Sequence, residues 1–367
     1  LQAGMKAKLQ TPFDQVGVLA ASPRLASVGT AVPPNRYTQQ DVLDWAGETD
    51  PKVHALFRNS HILTRNLYLV EPVNGELPRE SNEELIEKHL EGVLEIGPQA
   101  IGAALRPLGL EPEDIDVLVC VTSTGLLVPG VTAHLIKKMG MRNDIQRSDV
   151  VGMGCNAAVN AMQLVTATVQ SKPDAIAVLL CLEICSSAYA LDGKMSTAVV
   201  NSLFGDGAAA VVIRADTQDG AGHGPEVIDY QSFIHTETID SMRYMVEGST
   251  LSFHIDREIP FVIGRNAHLP VAALLERHDL AIADVDHWVI HSGGKKVIDA
   301  ICANLGLSDH DVRHTRGVLR DQGNVSSASV LFAFERLHAE GVTKAGDVGV
   351  MIAMGPGMTI ETALMTW

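Results

Sequence analysis

Hydrophobic positions along this chain form short continuous runs that alternate with segments of helical spacing. Four runs are typical of buried strands: 24–32, "VLVC" (117–120), "AIAVLLCLEI" (175–184) and "GAAAVVIR" (207–214). Helices are predicted at 39–46 and 52–59, and a longer one follows Ser81, where Glu83 and Glu84 complete a capping pattern. Alternating helices and apolar strands predict an α/β fold with central sheets covered by helices on both faces.

The second half of the chain repeats features of the first half. "LGLEPEDIDVLVC" (108–120) aligns without gaps with "HDLAIADVDHWVI" (278–290) at an offset of 170. "SLFGDGAAAVVI" (202–213) resembles "IAMGPGMTIETA" (352–363) at an offset of 150, as a strand-glycine-turn-strand pattern. Two matches in the same order predict a duplicated α/β unit. The polar, glycine-rich segment 215–224 is a candidate joint, which gives two halves, 1–218 and 219–367.

Charge and composition narrow the classes of partner. Hydrophobic residues make up 46% of the chain and no apolar run reaches 18 residues, so we expect a cytoplasmic globular protein without a membrane span. The net charge of −16 argues against nucleic-acid or anionic membrane surfaces. An anionic small molecule would therefore need a local basic patch. The candidates for such a patch are Lys52, Arg58, Arg65, Lys295 and Lys296.

The five cysteines are odd in number and scattered, which favours free thiols in a reducing compartment. Cys181 and Cys185 are predicted to share a strand face with Glu183 and to be buried by packing. Cys155 differs, because "GMGCNAAVNAM" (152–162) places it where an apolar strand stops and a helix starts. A helix N-terminus lowers a thiol pKa and favours the nucleophilic thiolate. Core packing remains the alternative for this segment taken alone.

Two further junctions carry side chains that suit a cysteine nucleophile. "HWVIHSGGKKVIDA" places His291 after an apolar strand, and "LRDQGNVSSASVLFAF" places Asn324 before a helix. In a duplicated fold such junctions converge at the ends of the central strands, which predicts a Cys-His-Asn site. Papain-like hydrolases use the same residue types, with a His at a spacing like the 136 residues found here. Their cysteine signature is missing from this chain, so the protease interpretation is weak.

With these motifs in place, the chain resembles the type III polyketide synthases, which have the thiolase fold, from about residue 24 to Trp367. The similarity rests on six segments: "GMGCNAAVNAM", "SLFGDGAAA", "LSFHI", "HSGGKKVIDA", "GNVSSAS" and "MGPGMTIETALM". It implies a layered αβαβα arrangement built from two duplicated halves. Segments such as "VRHTRGVLRDQGN" resemble more specifically the bacterial branch of the family that makes 3,5-dihydroxyphenylacetyl-CoA in glycopeptide-antibiotic pathways.

The resemblance also implies roles for individual residues. Cys155 matches the acyl-accepting nucleophile, with His291 and Asn324 as its catalytic partners. Cavity and tunnel positions of the family fall on Phe204, Phe253, Glu183, Ala188, Tyr244 and Ser326. Val128 falls where the family reaches across a dimer interface, so a homodimer is expected. Of the basic coenzyme A contacts only Lys52 lines up, and Arg58, Lys295 and Lys296 are further candidates.

The implied chemistry is decarboxylative condensation of malonyl-CoA, with no metal and no cofactor beyond the coenzyme A thioester of the substrate. An imidazolium at His291 would pair with the Cys155 thiolate. Accessory enzymes of the same pathway are expected to act on the product. The alternatives are a type III synthase with another starter or product, a condensing enzyme like ketoacyl-carrier-protein synthase III, and a non-catalytic thiolase-fold subunit. The intact Cys-His-Asn set argues against the last of these.

Overall fold

A computed structural model describes residues 22–73, 80–189, 193–215, 224–247 and 250–367. The strands are β1 Pro23–Ala31, β2 Arg36–Thr38, β3 Thr64–Asn66, β4 Val117–Thr122, β5 Gln146–Val151, β6 Ala177–Glu183, β7 Gly207–Ala215, β8 Glu226–Ile234, β9 Met242–Glu247, β10 Thr250–Ile255, β11 His287–Ile290, β12 Val348–Gly355 and β13 Thr359–Thr366. The helices are α1 Gln39–Trp45, α2 Pro51–Arg58, α3 Asn82–Leu105, α4 Val131–Met139, α5 Ala157–Ser171, α6 Met195–Leu203, α7 Ile259–Asn266, α8 His268–Glu276, α9 Lys295–Leu305, α10 Arg313–Gln322 and α11 Ser329–Glu340.

The central strands follow one pairing scheme twice. In the first half the order is β1-β7-β6-β4-β5, and in the second half it is β8-β13-β12-β11. In the first half β7 pairs antiparallel with β1 and with β6, and β4 pairs parallel with β6 and with β5. In the second half β13 pairs antiparallel with β8 and with β12, and β11 pairs parallel with β12. The halves meet where β1 pairs with β8, at Arg24 and Glu226. This repeated topology confirms the duplicated α/β unit.

Side-chain hydrogen bonds repeat at the predicted offset of 170. Asp116 Oδ2 accepts a bond of 2.9 Å from the Ile176 N–H, and Asp286 Oδ2 accepts one of 2.9 Å from the Val348 N–H. The short 3-10 turns Pro112–Asp114 and Ile282–Asp284 precede β4 and β11 in the same way. The carboxylates therefore join the start of β4 to that of β6 in the first half, and the start of β11 to that of β12 in the second.

The match at the offset of 150 holds only in part. The residues after the glycines form β7 in one half and β13 in the other, as predicted. The residues before them differ, because Ser202 and Leu203 end α6 whereas the corresponding residues belong to β12. The prediction of a strand before both turns is wrong for the first half. Phe204 accordingly lies at the end of a helix.

Helices separate the sheet into layers. α5 contacts β6 and β7 of the first half and β12 and β13 of the second, and α11 contacts strands of both halves as well. These two helices therefore form a middle layer. α3 covers the outer face of the first half, and α8 covers that of the second. The order α, β, α, β, α is the arrangement that the resemblance to the type III polyketide synthases implies.

α3 begins as predicted at Ser81. The Ser81 hydroxyl accepts from the Glu84 N–H at 3.2 Å, and the Glu84 carboxylate accepts from the Ser81 N–H at 2.7 Å. The expected joint at 215–224 and the boundary at 218 fall on residues 216–223, which lie outside the described residues. Among the helices that are described, none has the length and apolar character needed to span a bilayer.

Candidate active site

Cys155 lies in the turn between β5 and α5. Gly152 and Gly154 have left-handed φ angles of 84° and 77°, which glycine adopts without steric cost. A Cβ at Gly154 would also lie 2.4 Å from Pro356 Cδ, so the turn has no room for a side chain there. A 3-10 segment over Gly154–Asn156 leads directly into α5. The glycines thus let the chain turn sharply and bury the thiol at the start of the helix.

Asn324 presents its amide nitrogen to the site. Its backbone N–H donates to the Leu203 carbonyl at 2.9 Å. Its side-chain Oδ1 accepts bonds from the Ser326 N–H at 2.8 Å and from the Ser329 hydroxyl at 3.3 Å. With the oxygen occupied, the NH₂ group is the donor left for the cavity, and Asn324 is among the groups that oppose the rise of the Cys155 thiol pKa. Ser326 Oγ lies 3.4 Å from the same sulfur.

His291 is buried immediately after β11. Its backbone N–H donates to the Ile352 carbonyl of β12 at 2.9 Å. Within the described part of the chain, the ring Nδ1 has no hydrogen-bond partner. The next residue, Ser292, donates from its hydroxyl to the Gly323 carbonyl at 3.2 Å. This bond joins the His291 turn to the Asn324 turn. The structure therefore brings together the three junctions that the sequence singled out.

Burial dominates the titration of the two central groups. It raises the pKa of the Cys155 thiol to about 12 and lowers the pKa of His291 to about 3. The expectation that the helix N-terminus lowers the pKa of the Cys155 thiol is wrong, because desolvation outweighs the dipole. Burial therefore disfavours the charged form of each group taken alone.

A cavity of about 270 Å³ opens beside Cys155. Five more of the predicted positions line it: Ala188, Phe204, Tyr244, Phe253 and Ser326. Residues that the sequence did not single out for the cavity also line it, among them Ser123, Cys185, Val200, Met242 and Arg243. Val200 and Met242 carry no sequence signal beyond hydrophobicity. Arg243 could have been found only from its position next to Tyr244.

Three aromatic rings form one wall of this cavity. Phe204 and Phe253 meet edge to face with ring centroids 6.0 Å apart, and Tyr244 packs on Phe253 at 5.3 Å. The Tyr244 hydroxyl donates to the Ser123 carbonyl at 2.8 Å. Edge-to-face contacts fix the relative orientation of the rings. The wall is therefore apolar and held in one arrangement.

Glu183 lies behind the cavity, at the end of β6, and is fully buried. Its carboxyl accepts from the Ser123 N–H at 2.9 Å, from the Ser327 hydroxyl at 2.6 Å and from the Ser326 hydroxyl at 3.3 Å. Burial raises the pKa of this carboxyl, and the hydrogen bonds oppose that rise. Glu183 thus positions Ser326, which contacts the nucleophile.

All five cysteines lie within the described residues, and each is a buried free thiol. Cys181 is buried by packing, as predicted, in a core cluster formed by residues of both halves. Cys185 does not share its strand face, because β6 ends at Glu183 and Cys185 belongs to the turn that follows. It packs with Cys155 and Phe204 at the cavity wall instead.

Comparison with known proteins decides the family. The family model of the C-terminal domain of chalcone and stilbene synthases matches residues 227–366. The model of the FAE1/type III polyketide synthase-like proteins matches residues 75–223. The 3,5-dihydroxyphenylacetyl-CoA synthase of Streptomyces toyocaensis is 48% identical over 98% of this chain and 96% of its own length. The chain belongs to the type III polyketide synthases. It is thus a malonyl-CoA-dependent condensing enzyme, that is, an acyltransferase.

Two other relatives agree with this assignment. The 3,5-dihydroxyphenylacetyl-CoA synthase of Amycolatopsis balhimycina is 48% identical over 97% of both chains. The crystal structure of 1,3,6,8-tetrahydroxynaphthalene synthase from Streptomyces coelicolor, a bacterial type III polyketide synthase, superposes with a TM-score of 0.86 at 28% identity. That match covers 95% of this synthase and 99% of the other chain.

The basic residues expected to bind coenzyme A do not line the cavity of the synthase. Lys52 and Arg58 are exposed on α2, and Lys296 is exposed at the start of α9. Lys295 pairs with Asp299 at 2.5 Å. Their role in binding stays a prediction. Val128 lies in the loop after β4, where it is almost fully exposed.

Arg65 is fully buried, so its inclusion in a surface basic patch is wrong. One guanidinium nitrogen donates to the carbonyl oxygens of Asn201 at 2.5 Å and Phe204 at 2.7 Å, and to the Tyr189 hydroxyl at 2.7 Å. The other donates to Gln39 Oε1 at 2.7 Å. Arg65 therefore holds the backbone that carries Phe204. A sequence cannot distinguish this buried arginine from an exposed one nearby.

Replacing Arg65 with methionine is expected to lower the free energy of unfolding by about 3 kcal/mol or more, because each buried acceptor left without a donor costs about 1–3 kcal/mol. Urea unfolding measures this loss. Arg58→Met removes an exposed arginine and should change stability by no more than about 0.5 kcal/mol. Equal, small changes in both variants would show that the Arg65 network does not stabilise the fold.

Proposed function

We propose that this synthase uses malonyl-CoA as both starter and extender and forms 3,5-dihydroxyphenylacetyl-CoA or its free acid. The observation that carries the proposal is the identity of 48% to synthases of that product over nearly the whole chain. The cavity lined by Cys155 and three aromatic residues supports it. Four malonyl units, with decarboxylation, supply every carbon of that acyl group.

In the first step His291 takes the proton of the Cys155 thiol. The sulfur then attacks the malonyl thioester, and a new carbon–sulfur bond forms as coenzyme A leaves. Because burial disfavours the thiolate alone, formation of the imidazolium next to it is what makes the nucleophile available. Cys155 is proposed to carry the chain, and His291 to activate it.

Extension begins when a further malonyl-CoA loses carbon dioxide. The electrons of the broken carbon–carbon bond form an enolate, whose oxygen needs hydrogen-bond donors. We assign these donors to the Asn324 NH₂ group, which Ser326 and Ser329 orient, and to the His291 imidazole. The enolate carbon attacks the acyl group on Cys155, and the sulfur leaves as thiolate. These side chains stabilise the enolate charge, so the proposed chemistry needs no metal and no organic cofactor.

Labelled malonyl-CoA tests the proposal directly. The pure protein, given fully ¹³C-labelled malonyl-CoA and no other acyl donor, should release a fully labelled dihydroxyphenylacetyl product, identified by chromatography and mass spectrometry. Product that forms only after an aromatic or fatty acyl-CoA is added would contradict malonyl-CoA as the starter. A naphthalene product would instead assign the chain to the activity of a more distant relative, 33% identical, from Streptomyces peucetius.

We propose that the synthase forms a homodimer in the cytoplasm, through the edge of the sheet at β5. Leu126 and Val128, in the loop after β4, are 72% and 95% exposed. Val151 at the end of β5 and Leu164 on α5 are exposed as well. Exposed apolar side chains beside an unpaired edge strand favour association with a second copy. Accessory enzymes that act on the product belong to the same proposal.

Replacing Val128 with aspartate should weaken the dimer, because the charge would be buried at the interface without a partner. Sedimentation velocity at micromolar concentration is expected to show a monomer for this variant and a dimer for the parent protein. Val342→Asp, at an exposed valine between α11 and β12, is the matched control and should remain dimeric. A dimer in both variants would place the interface elsewhere.

A further inference from the structure

Arg243 is the charged residue among the described residues that line the cavity beside Cys155. The rest of the lining consists of small, hydroxyl, sulfur-containing and apolar side chains. The chain as a whole carries a net charge of −16, which repels an anionic substrate. A single arginine at this wall is therefore the feature of the cavity with the chemistry to attract an anion.

The position of Arg243 suits the mouth of the cavity. It lies on β9, opposite His254 of β10, and its side chain is exposed. Its neighbour Tyr244 is anchored by the Ser123 carbonyl and by Phe253, which fixes this part of β9 against the cavity. The arginine thus reaches solvent at one end of a wall in which Phe204 packs with Cys155.

The charge of Arg243 is available to a ligand. Its guanidinium donates to the Asp240 carbonyl oxygen, a partner without net charge. Arg243 also acts on Asp256, whose pKa is lowered mainly by its hydrogen bond to His254 and to a smaller degree by Arg243. Arginine presents several N–H donors in a planar fork, which matches the oxygens of carboxylates and phosphates.

We propose that Arg243 binds an anionic group of the acyl-CoA substrate at the cavity mouth. Two groups of that substrate share the required chemistry: the malonyl carboxylate and the phosphates of coenzyme A. The inference rests on the proposed function for the identity of the substrate. It assigns to β9 a contact that the sequence placed on α2 and α9.

Isothermal titration calorimetry with two stable probes tests the inference without turnover. Coenzyme A carries the phosphates and no carboxylate. The malonyl monoamide of N-acetylethylenediamine carries the carboxylate and no phosphate, and as an amide it resists acyl transfer. We expect Arg243→Gln to raise the Kd of one probe about 10- to 100-fold, the range expected for loss of a charge-assisted hydrogen bond. A weaker affinity for coenzyme A identifies the phosphates, and a weaker affinity for the amide identifies the carboxylate.

Two further variants make the result specific to this side chain. Arg257→Gln removes an exposed arginine just after β10 and should leave both Kd values within about twofold. Arg243→Lys keeps the charge without the fork and should restore part of the affinity. Unchanged Kd values for both probes in Arg243→Gln, or equal losses in Arg257→Gln, would overturn the inference. Absence of product from malonyl-CoA in the parent protein would contradict the proposed function instead.

Discussion

Replacing Cys155 with alanine is expected to abolish product formation while malonyl-CoA decarboxylation continues. The reason lies in the division of the site between two groups of residues. Cys155, at the start of α5, accepts the acyl chain, whereas Asn324 and His291 stabilise the enolate. Without the sulfur no acyl-enzyme forms, but the donors that favour loss of carbon dioxide are still in place. Carbon dioxide release and polyketide product are measured separately on the same sample.

Asn324→Ala should lose the decarboxylation that Cys155→Ala retains. Its amide is the donor for which the structure shows a built orientation, through the bonds that Ser326 and Ser329 make to its oxygen. Loss of one such donor typically slows catalysis about 10²- to 10³-fold, so decarboxylation should fall by that factor. Asn304→Ala, on the exposed side of α9, is the matched control and should decarboxylate normally. Normal decarboxylation in Asn324→Ala would show that the role assigned to this amide is wrong.

The second large effect concerns the reactivity of Cys155 towards iodoacetamide. We expect the proton of the thiol to pass to His291 in the parent protein, as proposed above, so alkylation should already be fast at neutral pH. In His291→Ala that acceptor is gone, whereas the burial that raises the pKa of the thiol remains. A raised thiol pKa means that the thiolate appears only as the pH rises. Alkylation of this variant should therefore be at least about 100-fold slower at pH 7 and should speed up about tenfold per pH unit.

Intact-protein mass spectrometry at several pH values between 6 and 9 follows this reaction. His338→Ala removes an exposed histidine of α11 and should keep the parent profile. If His291→Ala reacted as fast as the parent protein at pH 7, the thiolate would have another source of stabilisation. The pairing of Cys155 with His291 would then be incorrect.

The parts of the fold that the sequence predicts are those encoded by local chemistry. Ser81 and Glu84 specify the start of α3 through bonds within one turn. The repeat at an offset of 170 can be recognised in the sequence because Asp116 and Asp286 are both retained, and each accepts a hydrogen bond from a backbone N–H. Cys155 and His291 could be found because each adjoins a glycine turn after a strand, and Asn324 because it follows Gly323 and precedes a helix.

Features that depend on distant neighbours could not be predicted in the same way. Arg65 has the same residue type as exposed Arg58, and only its partners Phe204, Asn201 and Gln39 reveal that it is buried. The pKa of Cys155 depends on how completely the surrounding chain excludes water, which outweighs the helix terminus that the sequence does show. Cys185 was assigned to a strand face because nothing local marks the end of β6 at Glu183.

Acylation of Cys155 during turnover tests the central claim most directly. The protein is mixed with malonyl-CoA, quenched in acid within seconds and examined by tandem mass spectrometry, which distinguishes Cys155 from Cys185 across the cavity wall. The account predicts malonyl-derived acyl groups of increasing length on Cys155 and none on Cys185. Product formation with acyl groups on Cys185 alone, or with none on either cysteine, would contradict it.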